Sequence, residues 1–225
     1  MILYSLMRLR EMDPKGVVAF FLSGHYFSDD EVFIRQIDSA YTIASLRPEV
    51  VVLLGVTPET PEVEYGWIEP GSPLENSLSR SAYRVSRFWE KPHQALASSL
   101  MERGCLWNSF VMIGHVNAFM NRVRHALPGL IKSFDSIREA LFTTAEPSAV
   151  SDLYSTIRAT SLSEEVLSVQ PDHLAVLRGT GLGWSDLGEP SRVLSVLDRK
   201  NVRKEWGPGR TTKRSGPSPL RQWPR

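Results

Sequence analysis

Cysteine is nearly missing from this chain: Cys105 is the only one in 225 residues. A single thiol excludes an internal disulfide and any zinc site built on paired cysteines, and it fits a reducing, cytoplasmic location. Long hydrophobic runs are missing too. No stretch nears the roughly 18 apolar residues of a membrane helix. The N-terminus, MILYSLMRLREMD, sets Arg8, Arg10 and Glu11 among its apolar positions, unlike a signal peptide. His25, His93, His115, His125 and His173 are scattered with no i, i+4 pair, which argues against a helical zinc motif. What the chain does have is 42% hydrophobic residues, enough to bury the core of one ordinary domain.

The formal charge of +1 conceals an asymmetry. Residues 198–225 hold nine Lys/Arg and two Asp/Glu, net +7, while residues 1–197 hold 17 and 23, net −6. Gly and Pro punctuate this stretch from Gly207 to Pro224 and no apolar period runs through it. Residues 203–225 therefore read as a basic disordered tail, and 1–202 as the globular part. Such a tail attracts phosphate without sequence preference. Trp206 and Trp223 stand alone, so no stacking pattern accompanies the charge, and a solvated extension is a simpler reading than a nucleic-acid arm.

Short apolar runs alternate with helical patterns. Val17–Leu22 and Val50–Val56 read as strands buried on both faces. Between them, Ser28 and Glu31 have capping-box spacing ahead of a helical stripe of Phe33, Ile37, Tyr41 and Ala44, which Pro48 ends. Strand, helix and strand in this order predict a βαβ unit and an α/β fold with a mostly parallel, mixed sheet. Further strands are expected at Tyr83–Trp89, Phe110–Ile113 and His173–Arg178. Helices are expected at 92–103 with Gly104 closing, at 116–126, 130–142 and 148–158, and after Pro190.

Candidate chemistry is dispersed. Gly183-Trp184-Ser185-Asp186-Leu187 approaches a nucleophile elbow, but Leu187 stands where a second glycine is required. Gly179-Thr180-Gly181-Leu182-Gly183 lacks a following helix and Lys-Ser/Thr pair, so it reads as a turn rather than a phosphate cradle. Glu90-Lys91-Pro92 ends a strand with a carboxylate and an ammonium, either an exposed ion pair or a point charge for a phosphate. Asp186 is equally a turn residue or a Mg²⁺ ligand. Gly66, between Tyr65 and Trp67, allows a ligand close to the backbone or marks a bulge. Asn108 offers an amide for a hydroxyl or for a turn.

The order of these weak signals is more specific than any one of them. Ser23-Gly24-His25 with Phe27 and Asp29, then Pro58–Gly71, Phe88–Pro92, Gly104–Ser109 and Gly183–Gly188, resemble the sugar-nucleotide pyrophosphorylases. These are a nucleotidyltransferase family, and the resemblance is nearest to its mannose-1-phosphate guanylyltransferase branch. It covers roughly residues 2–200 and implies a Rossmann-like nucleotidyltransferase fold. The activity implied is formation of GDP-mannose from GTP and mannose 1-phosphate, with pyrophosphate released and Mg²⁺ as cofactor. By the same resemblance Lys91 contacts the sugar phosphate and Glu90 the sugar hydroxyls. Asn108, Tyr65 and the backbone at Gly66 complete the sugar pocket, and Asp186 holds the metal. Lys91 and Asp186 are thus the expected catalytic groups. The alternative is a non-catalytic relative that binds a nucleotide sugar or a protein partner.

Two departures accompany the resemblance. Gly24 stands where the family carries a second metal carboxylate, in a Ser-Asp-His segment. The resemblance also begins downstream of the family's Gly-rich, triphosphate-gripping loop. The sheet is therefore expected to be N-terminally incomplete, and the chain alone to be aggregation-prone or only partly folded.

Overall fold

The structure, a computed structural model, describes residues 1–75 and 81–200. The predicted tail at 203–225 lies outside the described residues. The chain divides into a unit spanning Met1–Asp186 and a second one beginning at Leu187.

The first unit opens with α1 (Ile2–Met12), which buries Leu3, Leu6 and Met7. β1 (Val17–Phe20) and the two-residue β2 (His25–Tyr26) lead into α2 (Asp30–Leu46). Asp29, not Ser28, caps α2: its carboxylate accepts the Val32 N–H at 2.9 Å. Ser28 is drawn elsewhere, its hydroxyl donating to the Leu182 carbonyl at 3.4 Å. It occupies space that any side chain on Gly183 would fill. The expected capping box is thus replaced by a cap one residue later. α2 ends at Leu46 because Arg47 precedes Pro48 and is pushed out of the helical region.

β3 (Val51–Val56) is buried at every residue, as a strand covered on both faces must be. β4 (Trp67–Pro73) was not legible in the sequence, since Pro70, Gly71 and Pro73 read as breakers. The structure places register shifts at Glu69/Pro70 and Pro70/Pro73, which is how an edge strand tolerates proline. β5 (Ala82–Trp89) then leads to α3 (Gln94–Glu102), whose cap is the His93 ring accepting the Leu96 N–H at 3.3 Å. Gly104, at φ +75°, closes that helix.

β6 (Leu106–His115) is much longer than the expected Phe110–Ile113. α4 (Val116–Ala126) falls where the periodicity put it, but α5 (Pro128–Asp135) covers only the first part of the expected 130–142 helix. A 3₁₀ turn at Arg138–Ala140 and left-handed Phe142 (φ +63°) break the rest. α6 (Glu146–Thr156) follows. Glu146 explains the break, accepting the Phe142 N–H (2.9 Å), the Tyr4 hydroxyl (2.6 Å) and Arg8 (2.5 Å), and so tying α6 to α1. A π-helical turn at Ser163–Leu167 precedes β7 (Leu174–Gly179), and the glycine-rich turn leads to β8 (Ser185–Asp186).

The strands form a six-stranded sheet in the order β1-β6-β3-β7-β5-β4, and β2 pairs β8 separately. Four of the six run one way, but β6 and β5 run against them. Among the described residues only β3 and β7 therefore meet as parallel neighbours, so the mixed character is stronger than a plain βαβ order predicts. β6 is inserted between β1 and β3, leaving β1 at the edge. It ends at Phe20 and is only half-buried, with Phe21 and Leu22 exposed, in place of the expected doubly buried Val17–Leu22. Side chains alternate between two cores. Val51 and Leu53 join residues of α1, α4, α5 and α6 on one face, while Val52 and Leu54 join Ala40 and Ile43 of α2 and Ala97 and Leu100 of α3 on the other. Each fully buried aliphatic side chain contributes about 1.5–3 kcal/mol.

In the second unit, α7 (Pro190–Arg199) begins with proline at its first turn, as expected. No described helix is long and apolar enough to cross a membrane.

Candidate active site

Residues far apart in the chain converge on one small cavity of about 140 Å³. Leu22 and His25, which follow β1, line one part, and Trp184 and Asp186, which follow β7, line another. The remaining wall comes from Glu64, Tyr65, Gly66, Glu90, Asn108, Phe110 and Ser163. Of the expected site residues, Tyr65, Gly66, Glu90, Asn108 and Asp186 all line this cavity. Lys91 does not. Its ammonium stands 3.5 Å from Glu64, with both side chains more than half exposed, so it lies next to the cavity through its partner.

The floor is set by the meeting of β4 and β6, where Trp67 pairs with Trp107 and the Asn108 N–H donates to the Gly66 carbonyl at 2.8 Å. Gly66 is glycine for reasons of space: a Cβ would stand 3.0 Å from Glu90 Oε2 and 3.1 Å from Phe88 Cζ. Asn108 Oδ1 accepts the Phe110 N–H at 3.1 Å, which fixes the amide's orientation and turns its NH₂, a donor, to other use. The Ser109 hydroxyl donates to the Leu54 carbonyl at 2.6 Å. It also takes the Val111 N–H at 3.3 Å, stitching a bulge into β6 where the register to β3 shifts.

Burial pushes the Glu90 carboxyl above the ordinary carboxylate range. A hydrogen bond from Ser163 and the charge of Lys91 pull it down, and Glu164 pushes it up again. Lys91 itself adopts a left-handed backbone, φ +42°. On the opposite wall, His25 is register partner to Asp186 in the β2–β8 ladder. Burial lowers the His25 pKa, the carboxylate of Asp186 opposing, and its buried Nδ1 has no hydrogen-bond partner among the described residues. Trp184 stacks edge-on to His25 at 5.4 Å and lies 5.1 Å from Tyr65, giving the cavity an aromatic side.

Glu90 and the Asn108 amide thus present an acceptor and a donor to a hydroxylated ligand, and Lys91 adds positive charge nearby. For a metal the donor set is thin. No group of three or more His, Cys, Asp or Glu that could hold an ion occurs among the described residues, and Gly24 brings no side-chain carboxylate to Asp186. One carboxylate fits an ion that arrives on substrate phosphates, since Mg²⁺ keeps waters and few protein ligands; it does not fit a resident site. Ser163, Phe110, Trp184 and Glu64 were not singled out for this site from sequence. Ser163 lies in Ser-Leu-Ser-Glu-Glu, outside every motif that carries the resemblance.

A cavity beyond the carboxyl ends of strands is where α/β proteins take small polar ligands, and the fold and site assign the chain to that class. Within it, the chain belongs to the nucleotidyl transferase family, whose profile matches residues 15–200. It is 26% identical over 200 residues to a mannose-1-phosphate guanylyltransferase of Salmonella montevideo, covering 87% of this chain and 41% of the relative. The xanthan biosynthesis protein XanB of Xanthomonas campestris pv. campestris is 26% identical over 185 residues, 79% of this chain and 36% of XanB. The chain therefore spans well under half the length of these relatives. Among solved structures it resembles one titled mannose-1-phosphate geranyltransferase from Thermus thermophilus. The TM-score is 0.66 at 26% identity, covering 81% of this chain and 50% of that one. A structure titled mannose-6-phosphate isomerase from Helicobacter pylori shares the fold, with a TM-score of 0.64 at 19% identity, over 81% and 68% of the two chains.

Proposed function

We propose that the cavity binds the sugar phosphate of a nucleotidyl transfer reaction, and that the reaction is formation of GDP-mannose from GTP and mannose 1-phosphate with release of pyrophosphate. The observation that carries this reading is the convergence of Tyr65, Gly66, Glu90, Asn108 and Asp186, from four separate sequence motifs, on one cavity. Glu90 accepts from the sugar hydroxyls and Asn108 donates to one. Lys91 leaves Glu64 for the phosphate, exchanging an exposed pair of about 0–1 kcal/mol for a charge-assisted contact. The bond formed joins a sugar-phosphate oxygen to the α-phosphorus of the triphosphate, and pyrophosphate leaves. The protein's share is alignment and charge stabilisation. At about 140 Å³ the cavity is smaller than the roughly 300–1,000 Å³ that encloses larger ligands, so the nucleotide lies outside it. Asp186 is the carboxylate that would hold Mg²⁺, which when bound neutralises phosphate charge.

Gly24, which puts no carboxylate beside Asp186, favours a second reading, a relative that binds a nucleotide sugar without turning it over. Pyrophosphate release from GTP and mannose 1-phosphate, measured beside GDP-mannose binding, tests both. Release dependent on mannose 1-phosphate supports the first, and saturable GDP-mannose binding without release supports the second. Absence of both pyrophosphate release and GDP-mannose binding would overturn both readings.

A further inference from the structure

A second cavity, of about 610 Å³, is walled by apolar side chains from α1, α4, α5 and α6, among them Leu3, Val123, Leu130 and Phe134. Phe110 is the only described residue that lines both this cavity and the small polar one. The π-helical turn divides in the same way, with Ser163 on the polar cavity and Val166 on the apolar one. Phe110 also adopts a left-handed backbone at φ +59°, which costs a residue bearing a side chain about 1–2 kcal/mol. The bulge at Ser109 and the Asn108 amide hold it there.

We propose that Phe110 is a specificity-determining residue: its ring is the partition that closes the polar cavity at the back and limits the site to a sugar phosphate without an apolar substituent. This rests on the reading of the polar cavity as a sugar-phosphate site. Without the ring the two cavities join, and a site for one sugar gains an apolar annex several times its volume. A sugar bearing an acyl chain would then find apolar surface where wild type presents a wall. Each buried methylene adds to affinity, which discriminates by size in the way a closed hydrophobic pocket does.

The test compares wild type with Phe110→Ala and Phe110→Gly in the full chain, titrated calorimetrically with mannose 1-phosphate and with N-acyl hexosamine 1-phosphates from acetyl to hexanoyl. Wild type is expected to bind mannose 1-phosphate and lose at least tenfold as the acyl chain lengthens. Both variants are expected to recover that loss, read within each protein as the ratio of its mannose 1-phosphate affinity to its N-acyl hexosamine 1-phosphate affinity. Phe110→Gly should melt above Phe110→Ala, because glycine adopts a positive φ without strain. Equal acyl-chain discrimination in all three proteins overturns the proposal. A crystal structure of Phe110→Gly reads the partition without any sugar: one continuous cavity supports it, and two separate ones overturn it. If no protein binds a sugar phosphate but the cavities do join, the sugar-phosphate reading fails while the partition stands.

Discussion

His25 and Asp186 face each other across the β2–β8 ladder, although one follows the first strand of the sheet and the other its last. That pairing brings the Ser23-Gly24-His25 segment beside the carboxylate that the family resemblance assigns to a metal. Gly24 has open space around its Cβ position, with no atom within 4 Å. Gly24→Asp should therefore fit and add an oxygen donor. Manganese affinity, followed by electron paramagnetic resonance, is expected to rise about tenfold or more with the added ligand charge. Unchanged manganese binding in a folded variant would mean that residue 24 does not face the ion.

Glu90 should show opposed effects on binding and stability. Its folded-state pKa is raised by burial, so the folded protein holds this proton more tightly than the unfolded chain does. Stability from this group therefore declines as pH climbs from about 4.3, the ordinary glutamate value, through the raised value. Glu90→Gln removes that cost and should melt no lower than wild type at neutral pH. Its sugar-phosphate affinity should fall about ten- to hundredfold, the worth of a hydrogen bond to a charged group. Wild-type binding should also weaken on acidification, as the acceptor is protonated. A variant that melts lower at neutral pH yet keeps its affinity would contradict this assignment.

Gly66→Ala tests the cavity floor. The new methyl would press on Glu90 and Phe88, so one of them must yield. The expected cost is about 1–3 kcal/mol in stability, typical of overpacking, together with weaker sugar-phosphate binding from a displaced Glu90. Chemical denaturation and titration of the same sample would check both. Full binding with full stability would show that the cavity floor is softer than its geometry.

How far these positions could be read from sequence depends on what fixes them. β3 and α4 were legible because their apolar patterns are set by local periodicity and decided by burial. β4 was not, because its prolines look like breakers until an edge position makes them tolerable. The α2 cap moved by one residue because Ser28 found a partner in Leu182, far along the chain, which no local pattern reveals. The same division holds at the site. Glu90, Asn108 and Asp186 sit in recognisable motifs, whereas Ser163 and Phe110 reach the cavity only through a π-helical turn and a bulge.

The edge position of β1 predicts self-association. Between Lys15 and His25 the chain carries no charge, and Phe21 and Leu22 are exposed at the strand's end. A flat apolar edge without charged residues invites pairing with another strand. Ala19, exposed on β1, is the place to interrupt it. Sedimentation velocity should show concentration-dependent assembly of the chain that Ala19→Lys reduces. A monomer at every concentration in both proteins would sink the idea.

The most direct measurement is a calorimetric titration of mannose 1-phosphate into the wild-type chain and into Lys91→Ala. Lys91 is exposed and pairs only weakly with Glu64, so its loss should change stability by no more than about 0.5 kcal/mol. Saturable one-to-one binding by wild type, reduced at least about tenfold in the variant, is the expected result for an ammonium on the phosphate. Equal affinity in the two proteins would remove Lys91 from the phosphate contact, and no binding to either would contradict a sugar-phosphate site at this cavity.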